Sequence, residues 1–261
     1  MNSQFEQIKV LALDLDDTLL RSDNTVAPST HEALSEWQAR GNRIVIATGR
    51  PPRSTGESLP ADLWQVPWAC YNGAVVVLDG ATVYHDLLPA GDARRIVESL
   101  QGSLPEAALG LEIDDVLYMN RPWNRPYPYR VADLIAMANR PVAKVLFFHD
   151  DLQGLNGLFR DLPATAQVMI SEKYRLVQIL SRTADKVSAL RHLVAQWGLE
   201  MCNVMAFGDD VNDLRMIQES GFGVAVENAV PDVKAVADHI TLSNDAGGVE
   251  EVLRELLATS Q

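Results

Sequence analysis

The sequence predicts an α/β protein in which a parallel-sheet core domain is interrupted by an inserted α+β domain. Short apolar runs alternate with amphipathic helices at both ends of the chain, which is typical of βαβ units. The middle of the chain differs in charge: residues 86–182 hold 11 basic and 12 acidic side chains, whereas the remainder holds 11 and 23. We therefore predict one domain from residues 1–85 and 183–261 and a second from residues 86–182.

The first third of the chain predicts strands separated by a helix. IKVLALD and RIVIATGR are apolar runs that predict buried strands, and WACYNGAVVVL predicts further strand with an Asn-Gly turn inside it. Between the first two runs, the segment from Pro28 to Gly41 has apolar residues at helical spacing. Ser29 and Glu32 form the pattern of a capping box there, and Gly41 is a typical helix stop.

The insert predicts helices at GDARRIVESLQG, VADLIAMAN and LQGLNGLFRDL, and largely antiparallel strands at KVLFFHD, AQVMIS and RLVQIL. Its Pro- and aromatic-rich segment YMNRPWNRPYPYR, with Arg121, Arg125 and Arg130, is interpreted as a surface loop in preference to a substrate-binding one. After residue 183 the strand–helix alternation of the first third of the chain resumes. ADKVSALRHLVAQWG predicts an amphipathic helix and NVMAFGDD predicts another buried strand, with further helix–strand alternation after it.

Composition limits the class of partner. With 22 Lys and Arg against 35 Asp and Glu, the formal net charge is −13, which argues against nucleic acid or an anionic membrane as a partner. MNSQFEQIKV lacks the basic and apolar regions of a secretory signal, and no apolar run approaches the roughly 18 residues of a membrane-spanning helix. Cys70 and Cys202 stand in no metal-binding or redox pattern. We expect a soluble cytoplasmic protein.

Polar residues follow three of the predicted strands. They are Asp14 and Asp16 after the first strand, Thr48 after the second, and Asp209, Asn212 and Asp213 after NVMAF. Because ligands bind beyond the carboxyl ends of parallel strands, we expect these groups to converge if the strands are neighbours. A hard divalent cation is the natural partner of so many carboxylates, and Mg²⁺ suits that role with phosphate as a further ligand.

Four motifs resemble, in order and spacing, those of the haloacid dehalogenase-like (HAD) superfamily of phosphatases. They are DLDDTLL, ATGR, the lysine of ADKVSAL, and GDDVND. The YNGA turn and the tail GVAVENAVPDVKAVADHITLSNDAGGVEEVL resemble the Cof-type, class IIB branch. The resemblance spans nearly the whole chain. It implies a Rossmann-like core domain, with residues 86–182 as a class IIB α+β cap domain.

The resemblance also implies catalytic roles. Asp14 would be the nucleophile that forms an aspartyl-phosphate, and Asp16 would protonate the leaving group and later take a proton from water. Thr48 and Lys186 would bind the phosphoryl group, and Asn212 would be a further substrate-binding residue. The residues alone leave open which of Asp14 and Asp16 attacks.

The resemblance implies a magnesium site as well. Mg²⁺ would bind the Asp14 and Asp209 carboxylates and the Asp16 backbone carbonyl. Asp213 would hold this metal site through water or from behind its ligands, and Asn212 would orient the groups around it.

Two positions depart from the family pattern. Asp17 and Glu227 stand where many members have glycine.

Other interpretations of these residues remain. Thr48 is also typical of a helix cap near Pro51, and Asn212 and Asp213 are also typical of a helix start. Lys186 lies in the first turn of a predicted helix, where the helix dipole disfavours a cation, and this indicates an anionic partner.

We expect a Mg²⁺-dependent phosphatase of small phosphorylated metabolites, either sugar phosphates or related monoesters. One alternative is a phosphosugar mutase of the phosphomannomutase type, which uses the same aspartyl-phosphate but returns the phosphoryl group to its substrate. Another is an Asp-phosphorylated signalling receiver, which needs less chain and lacks a residue like Asp16. The sequence leaves the individual substrate and the choice between monomer and homodimer open.

Overall fold

The chain divides into two units, Met1–Tyr84 with Asp185–Gln261 and, inserted between them, His85–Ala184. A computed structural model describes residues 5–124, 127–155 and 157–259. The predicted α/β class is confirmed, since strands and helices alternate along the first unit and a sheet with helices forms the second. Among the described residues, no helix combines the length and the apolar character that crossing a membrane requires.

The strands and helices are numbered in chain order. The strands are β1 (Val10–Leu13), β2 (Arg43–Ala47), β3 (Trp68–Cys70), β4 (Val75–Leu78), β5 (Ala81–His85), β6 (Leu109–Ile113), β7 (Val116–Met119), β8 (Arg130–Val131), β9 (Lys144–Phe148), β10 (Ala166–Ser171), β11 (Leu176–Ser181), β12 (Val204–Gly208), β13 (Phe222–Ala225) and β14 (His239–Ile240). The helices are α1 (Pro28–Ala39), α2 (Pro52–Thr55), α3 (Ala90–Ser103), α4 (Leu134–Met137), α5 (Lys186–Gln196), α6 (Leu214–Glu219), α7 (Pro231–Val236) and α8 (Gly248–Thr259).

In the described residues of the first unit, eight strands form one sheet in the order β14-β13-β12-β1-β2-β3-β4-β5. The pairs from β14 to β3 are parallel, and β4 pairs antiparallel with β3. Strand β1 lies inside the sheet and is buried along its whole length. Its alternate residues belong to two different cores: Leu11 and Leu13 pack with α1 and α8, whereas Val10 and Ala12 pack with α5 and α6. Burial on both faces explains its continuous apolar sequence.

Helix α1 begins two residues earlier than an N-cap at Ser29 would place it. Pro28 occupies the first helical position, which its missing N–H favours, and the residue before the helix makes no side-chain cap. The predicted capping box is therefore wrong, because Ser29 lies inside the helix. Its hydroxyl donates instead to the Glu250 carboxylate, at 2.5 Å. Gly41, just beyond the end, has a φ of +81° as a C-terminal glycine should.

In the described residues of the second unit, six strands form a sheet in the order β10-β11-β9-β6-β7-β8. Its pairs are antiparallel except β7 with β8. Helix α3 packs on one face, where Ile96, Val97 and Leu100 join an apolar core with residues of the strands. This arrangement matches the antiparallel insert that the sequence predicts.

The predicted helix at LQGLNGLFRDL is wrong. Residues Gln153–Leu155 form only a short 3-10 turn, and turns follow from 157 to 161. Two glycines disfavour a helix there. The Asp151 carboxylate also accepts the backbone N–H of Gly154 at 2.9 Å, which fixes a local turn.

Parts of the segment YMNRPWNRPYPYR belong to the sheet of the second unit or pack on it, while several of its described residues are exposed. The Trp123 ring stacks on Phe148, with 5.3 Å between ring centroids, and the Tyr129 hydroxyl accepts the backbone N–H of Trp123 at 2.9 Å. Arg121 pairs with Glu106. Arg125 lies outside the described residues.

The turn Tyr71–Gly73 links two parts of the first unit. Asn72 and Gly73 have φ of +56° and +91°, which the Asn-Gly sequence accommodates. The Asn72 backbone N–H donates to the Thr48 carbonyl at 2.9 Å. A Cβ on Gly73 would lie 2.1 Å from the carbonyl oxygen of Asp185, so this turn touches the start of α5 directly.

Gly73→Ala tests that close approach, with Gly80→Ala as a matched control. Gly80 also has a positive φ, +75°, but a Cβ there would meet no described atom within 4 Å. We expect Gly80→Ala to lower the free energy of unfolding by about 1–2 kcal/mol, the cost of a left-handed alanine. Gly73→Ala should cost about a further 1–3 kcal/mol because backbone must move. Chemical denaturation measures both, and equal losses would contradict the contact.

Candidate active site

Strands β12, β1 and β2 lie side by side and present three loops at one edge of the sheet. Leu13 is in register with Phe207 on one side and with Ile46 on the other. The loops that begin at Asp14, Thr48 and Asp209 therefore leave the sheet at the same edge. The order of the strands along the chain reverses between β1 and β12, which is where open α/β sheets bind ligands.

Lys186 is the buried cation of this edge. Its side chain is 0% exposed, and its Nζ donates to Asp14 Oδ1 at 2.5 Å and to Asp213 Oδ1 at 2.6 Å. It is the first residue of α5, whose N-cap Asp185 accepts the backbone N–H of Ser188. The two carboxylates are the anionic partners that a lysine at a helix start requires.

Three carboxylates gather around this lysine. Among the described residues, one group could hold a metal ion: oxygens of Asp14, Asp209 and Asp213 all lie within 4.8 Å of one another, and all three residues are buried. The Thr18 hydroxyl donates to Asp209 Oδ1 at 3.3 Å. The side chain of Asp16 does not belong to this group.

Asp213 uses both of its oxygens. Oδ1 binds Lys186, while Oδ2 accepts the backbone N–H groups of Asp209 and Asp210 at 3.0 and 3.2 Å. It thus shapes the loop after β12 and holds the lysine at the same time. Gly208 permits this, because a Cβ there would lie 2.5 Å from the Asp213 side chain.

Burial and charge shift the pKa values in this cluster. Burial raises the pKa of Asp14 well above its ordinary value, and the carboxylates of Asp213 and Asp209 raise it further against the lowering effect of Lys186. Burial also acts to lower the pKa of Lys186, but the attraction of Asp14 and Asp213 outweighs it and the pKa is raised. Lys186 therefore stays charged, whereas ionised Asp14 needs further positive charge nearby.

The donor set fits a hard divalent cation. It offers buried carboxylate oxygens with no sulfur and no imidazole in the group, which is the chemistry that Mg²⁺ prefers. A cation placed beside Asp14 and Asp209 would lower the cost of their ionised forms.

Thr48 and Asn212 lie in the loops that follow β2 and β12, at the same edge of the sheet as the cluster. Thr48 is buried and its hydroxyl accepts the backbone N–H of Arg50 at 3.1 Å. It does not cap α2, which begins at Pro52 after Pro51, so the capping interpretation is wrong. The Asn212 side-chain amide donates to Asn72 Oδ1 at 2.9 Å, which ties the loop after β12 to the turn Tyr71–Gly73.

Arg50 and Asp17 also make contacts around the loop that follows β1. Arg50, the last residue of the ATGR motif, binds the Asp16 carboxylate through its guanidinium at 2.5 Å. The only sequence signal for that contact is the position of Arg50 two residues after Thr48. Asp17 has a φ of +59°, which explains why glycine suits this position and why aspartate is tolerated. The Asp17 carbonyl accepts the Asn228 side-chain amide at 2.7 Å.

Comparisons with known proteins point to enzymes of one kind. A curated 5-amino-6-(5-phospho-D-ribitylamino)uracil phosphatase of Bacillus subtilis is 27% identical over 260 residues, covering 94% of this chain and 96% of its own length. A pyridoxal phosphate phosphatase of Escherichia coli is 29% identical over 266 residues, covering 94% and 97%. Both are similar over almost their whole length.

Solved structures agree in fold. A crystal structure from Thermotoga maritima has a TM-score of 0.81 and 28% identity, covering 95% of this chain and 97% of its own. A phosphatase of the haloalkanoate (HAD) superfamily from Bacteroides thetaiotaomicron has a TM-score of 0.82 and 27% identity, covering 95% of each chain. The model of the haloacid dehalogenase-like hydrolases matches residues 11–253. This chain therefore belongs to the haloacid dehalogenase-like hydrolases, as its motifs predict.

Proposed function

We propose that the protein is a Mg²⁺-dependent phosphatase that hydrolyses small phosphorylated metabolites through an aspartyl-phosphate. The observation that carries the proposal is the contact of Lys186 with both Asp14 and Asp213 inside a group of three buried carboxylates. Such a group is costly to bury unless positive charge, such as a bound cation, compensates it. The family and its named phosphatase relatives support the same reaction class.

The reaction needs two carboxylates with different tasks. An Asp14 oxygen attacks phosphorus, and the bond from phosphorus to the alcohol oxygen breaks while Asp16 gives that oxygen a proton. Water then attacks the aspartyl-phosphate, Asp16 takes back a proton, and Asp14 and inorganic phosphate are released. The burial of Asp14 suits the nucleophile, because a half-exposed carboxylate such as Asp16 exchanges protons with solvent more readily.

Phosphoryl transfer depends mainly on positioned charge and donors. Lys186 keeps Asp14 in place and neutralises charge on the phosphoryl oxygens. The Thr48 hydroxyl, which accepts from the Arg50 backbone, donates its own proton to a phosphoryl oxygen. Asn212 orients the loop through Asn72.

Magnesium would be held by the Asp14 and Asp209 carboxylates and by the Asp16 backbone carbonyl, with Asp213 supporting the site from behind. When bound, it supplies positive charge to the phosphoryl oxygens. The raised pKa of Asp14 supports this assignment, because the nucleophile must be ionised.

Small substrates are favoured by the relatives. Those named above act on pyridoxal phosphate and on a phosphoribitylaminouracil, both small monoesters. We propose that residues 86–182 form the cap domain and that sugar phosphates or related monoesters are the substrate class.

Asp14→Asn tests the nucleophile. The amide has nearly the same shape but cannot form the aspartyl-phosphate, so turnover of p-nitrophenyl phosphate should fall by at least about 1,000-fold. Circular dichroism should show an intact fold. Asp232→Asn, an equal charge change on the exposed first turn of α7, should leave the rate unchanged. Near-wild-type turnover by Asp14→Asn would refute the assignment.

A second assay separates a phosphatase from a mutase. Incubation with a hexose 1-phosphate should release inorganic phosphate without accumulating the 6-phosphate. Accumulation of the isomer with no phosphate release would overturn hydrolysis in favour of the mutase.

The dependence on metal can be measured by the melting temperature as well as by activity. Mg²⁺ binds only the folded site, so it should raise the melting temperature in a concentration-dependent way, and EDTA should abolish both that rise and turnover. Asp209→Asn should lose the rise, whereas Asp232→Asn should keep it. An EDTA-treated protein with full activity would remove the metal from the mechanism.

A further inference from the structure

The Asp16 carboxylate is held by a fork of hydrogen bonds from Arg50. Arg50 Nε donates to Oδ2 at 2.9 Å and to Oδ1 at 3.1 Å, and Nη2 donates to Oδ1 at 2.5 Å. Contacts from two guanidinium nitrogens fix both the position and the plane of a carboxylate.

Arg50 is itself held at several points. Its Nη1 donates to Ser58 Oγ at 3.1 Å and to the Ser54 carbonyl at 3.4 Å. Its backbone N–H donates to the Thr48 hydroxyl, and its carbonyl accepts the backbone N–H of Tyr71 at 2.9 Å. The guanidinium is therefore a fixed support and not a mobile surface group.

The ion pair is partly open to solvent, with the Arg50 side chain 20% exposed and that of Asp16 38% exposed. Solvent screening limits what such a pair adds to stability, whereas the two-nitrogen fork still fixes the direction of the carboxylate. Asp16 lies in a short irregular segment with extended backbone (φ −71°, ψ 126°), directly before the left-handed Asp17. A side chain on such a segment needs an outside contact to have a defined direction.

We propose that Arg50 is a positioning residue that aims the Asp16 carboxyl at the leaving-group oxygen. This inference rests on the proposed phosphatase function. To act on the leaving oxygen, Asp16 must carry a proton on one carboxyl oxygen while the other oxygen keeps its contact with Arg50. A proton donor that is held loosely, outside hydrogen-bond reach of the leaving oxygen, loses rate. The arginine acts through Asp16 alone and does not bind the phosphoryl group.

The test is a double-mutant cycle measured with two matched substrates. Phenyl phosphate and p-nitrophenyl phosphate have nearly the same shape, but p-nitrophenolate departs as a stable anion and phenolate needs more help from a proton donor. Turnover is measured for wild type, Arg50→Ala, Asp16→Asn and the double variant. Arg254→Ala, which removes an exposed guanidinium paired with Glu36 and Glu250, is the charge control.

We expect Arg50→Ala to lower kcat for phenyl phosphate by roughly 10–100-fold, as is usual for a group that orients a reacting one. The loss for p-nitrophenyl phosphate should be several-fold smaller, and KM should change little. In the Asp16→Asn background the same substitution should cause no further loss. Arg50→Lys keeps the charge without the fork, so it should show the same substrate pattern at smaller size. Arg254→Ala should match wild type.

Equal losses with both substrates that add in the double variant would overturn the inference and assign Arg50 to the phosphoryl group. An Arg50→Ala protein that unfolds, together with an Arg50→Lys protein that equals wild type on both substrates, would assign Arg50 to structure instead. Wild-type turnover of neither substrate would defeat the proposed function itself. An active wild type matched by Arg50→Ala would defeat only this inference.

Discussion

The contact of Lys186 with Asp14 and Asp213 is the interaction on which the rest of the site depends. Each of these charges would be costly to bury alone, because water is lost and nothing replaces it. Together they offset one another at 2.5 and 2.6 Å. Asp14 directly follows β1, Asp213 lies in the loop between β12 and α6, and Lys186 starts α5, so the contact forms only when the first unit is assembled. Loss of Lys186 would leave the buried carboxylates of Asp14 and Asp213 without their cation.

The backbone around this contact is built for close approach. Gly208 lets the Asp213 side chain pack against the end of β12, and Gly73 lets its turn touch the start of α5. The short side chains of Asn72 and Asn212 then join that turn to the loop after β12. These contacts lie within one unit of the chain, which the insertion at His85–Ala184 interrupts in sequence. Long-range packing, and not local sequence, therefore brings the site together.

Much of the fold and of the site could be predicted, because the strongest sequence patterns are the periodicity of apolar residues and the chemistry of charged ones. A buried strand between two helical layers must be apolar throughout, as β1 is, and acids after it need a cation. The Lys186 position was informative because it breaks a local rule. The wrong predictions rest on local sequence patterns alone. Ser29 and Glu32 satisfy a local pattern, but Pro28 fixes the helix start two residues earlier than that pattern does. The stretch 152–162 has helical spacing, yet its glycines and Asp151 select turns. No sequence pattern around Arg50 predicts its contact with Asp16, because the two residues meet only through the neighbouring strands β1 and β2.

The charge balance of the cluster explains why phosphate and a divalent cation belong together at this edge. Ionised Asp14, Asp209 and Asp213 exceed the single charge of Lys186, and the raised pKa of Asp14 is the direct result of burial and of that excess. A phosphoryl group alone would add negative charge and be repelled, because one ammonium group cannot balance it and three carboxylates. A divalent cation attracts both the ionised nucleophile and the phosphoryl oxygens, so their negative charges no longer oppose binding. The same excess charge that makes the cluster costly to bury therefore makes it selective for a cation and a phosphoryl group bound at the same time.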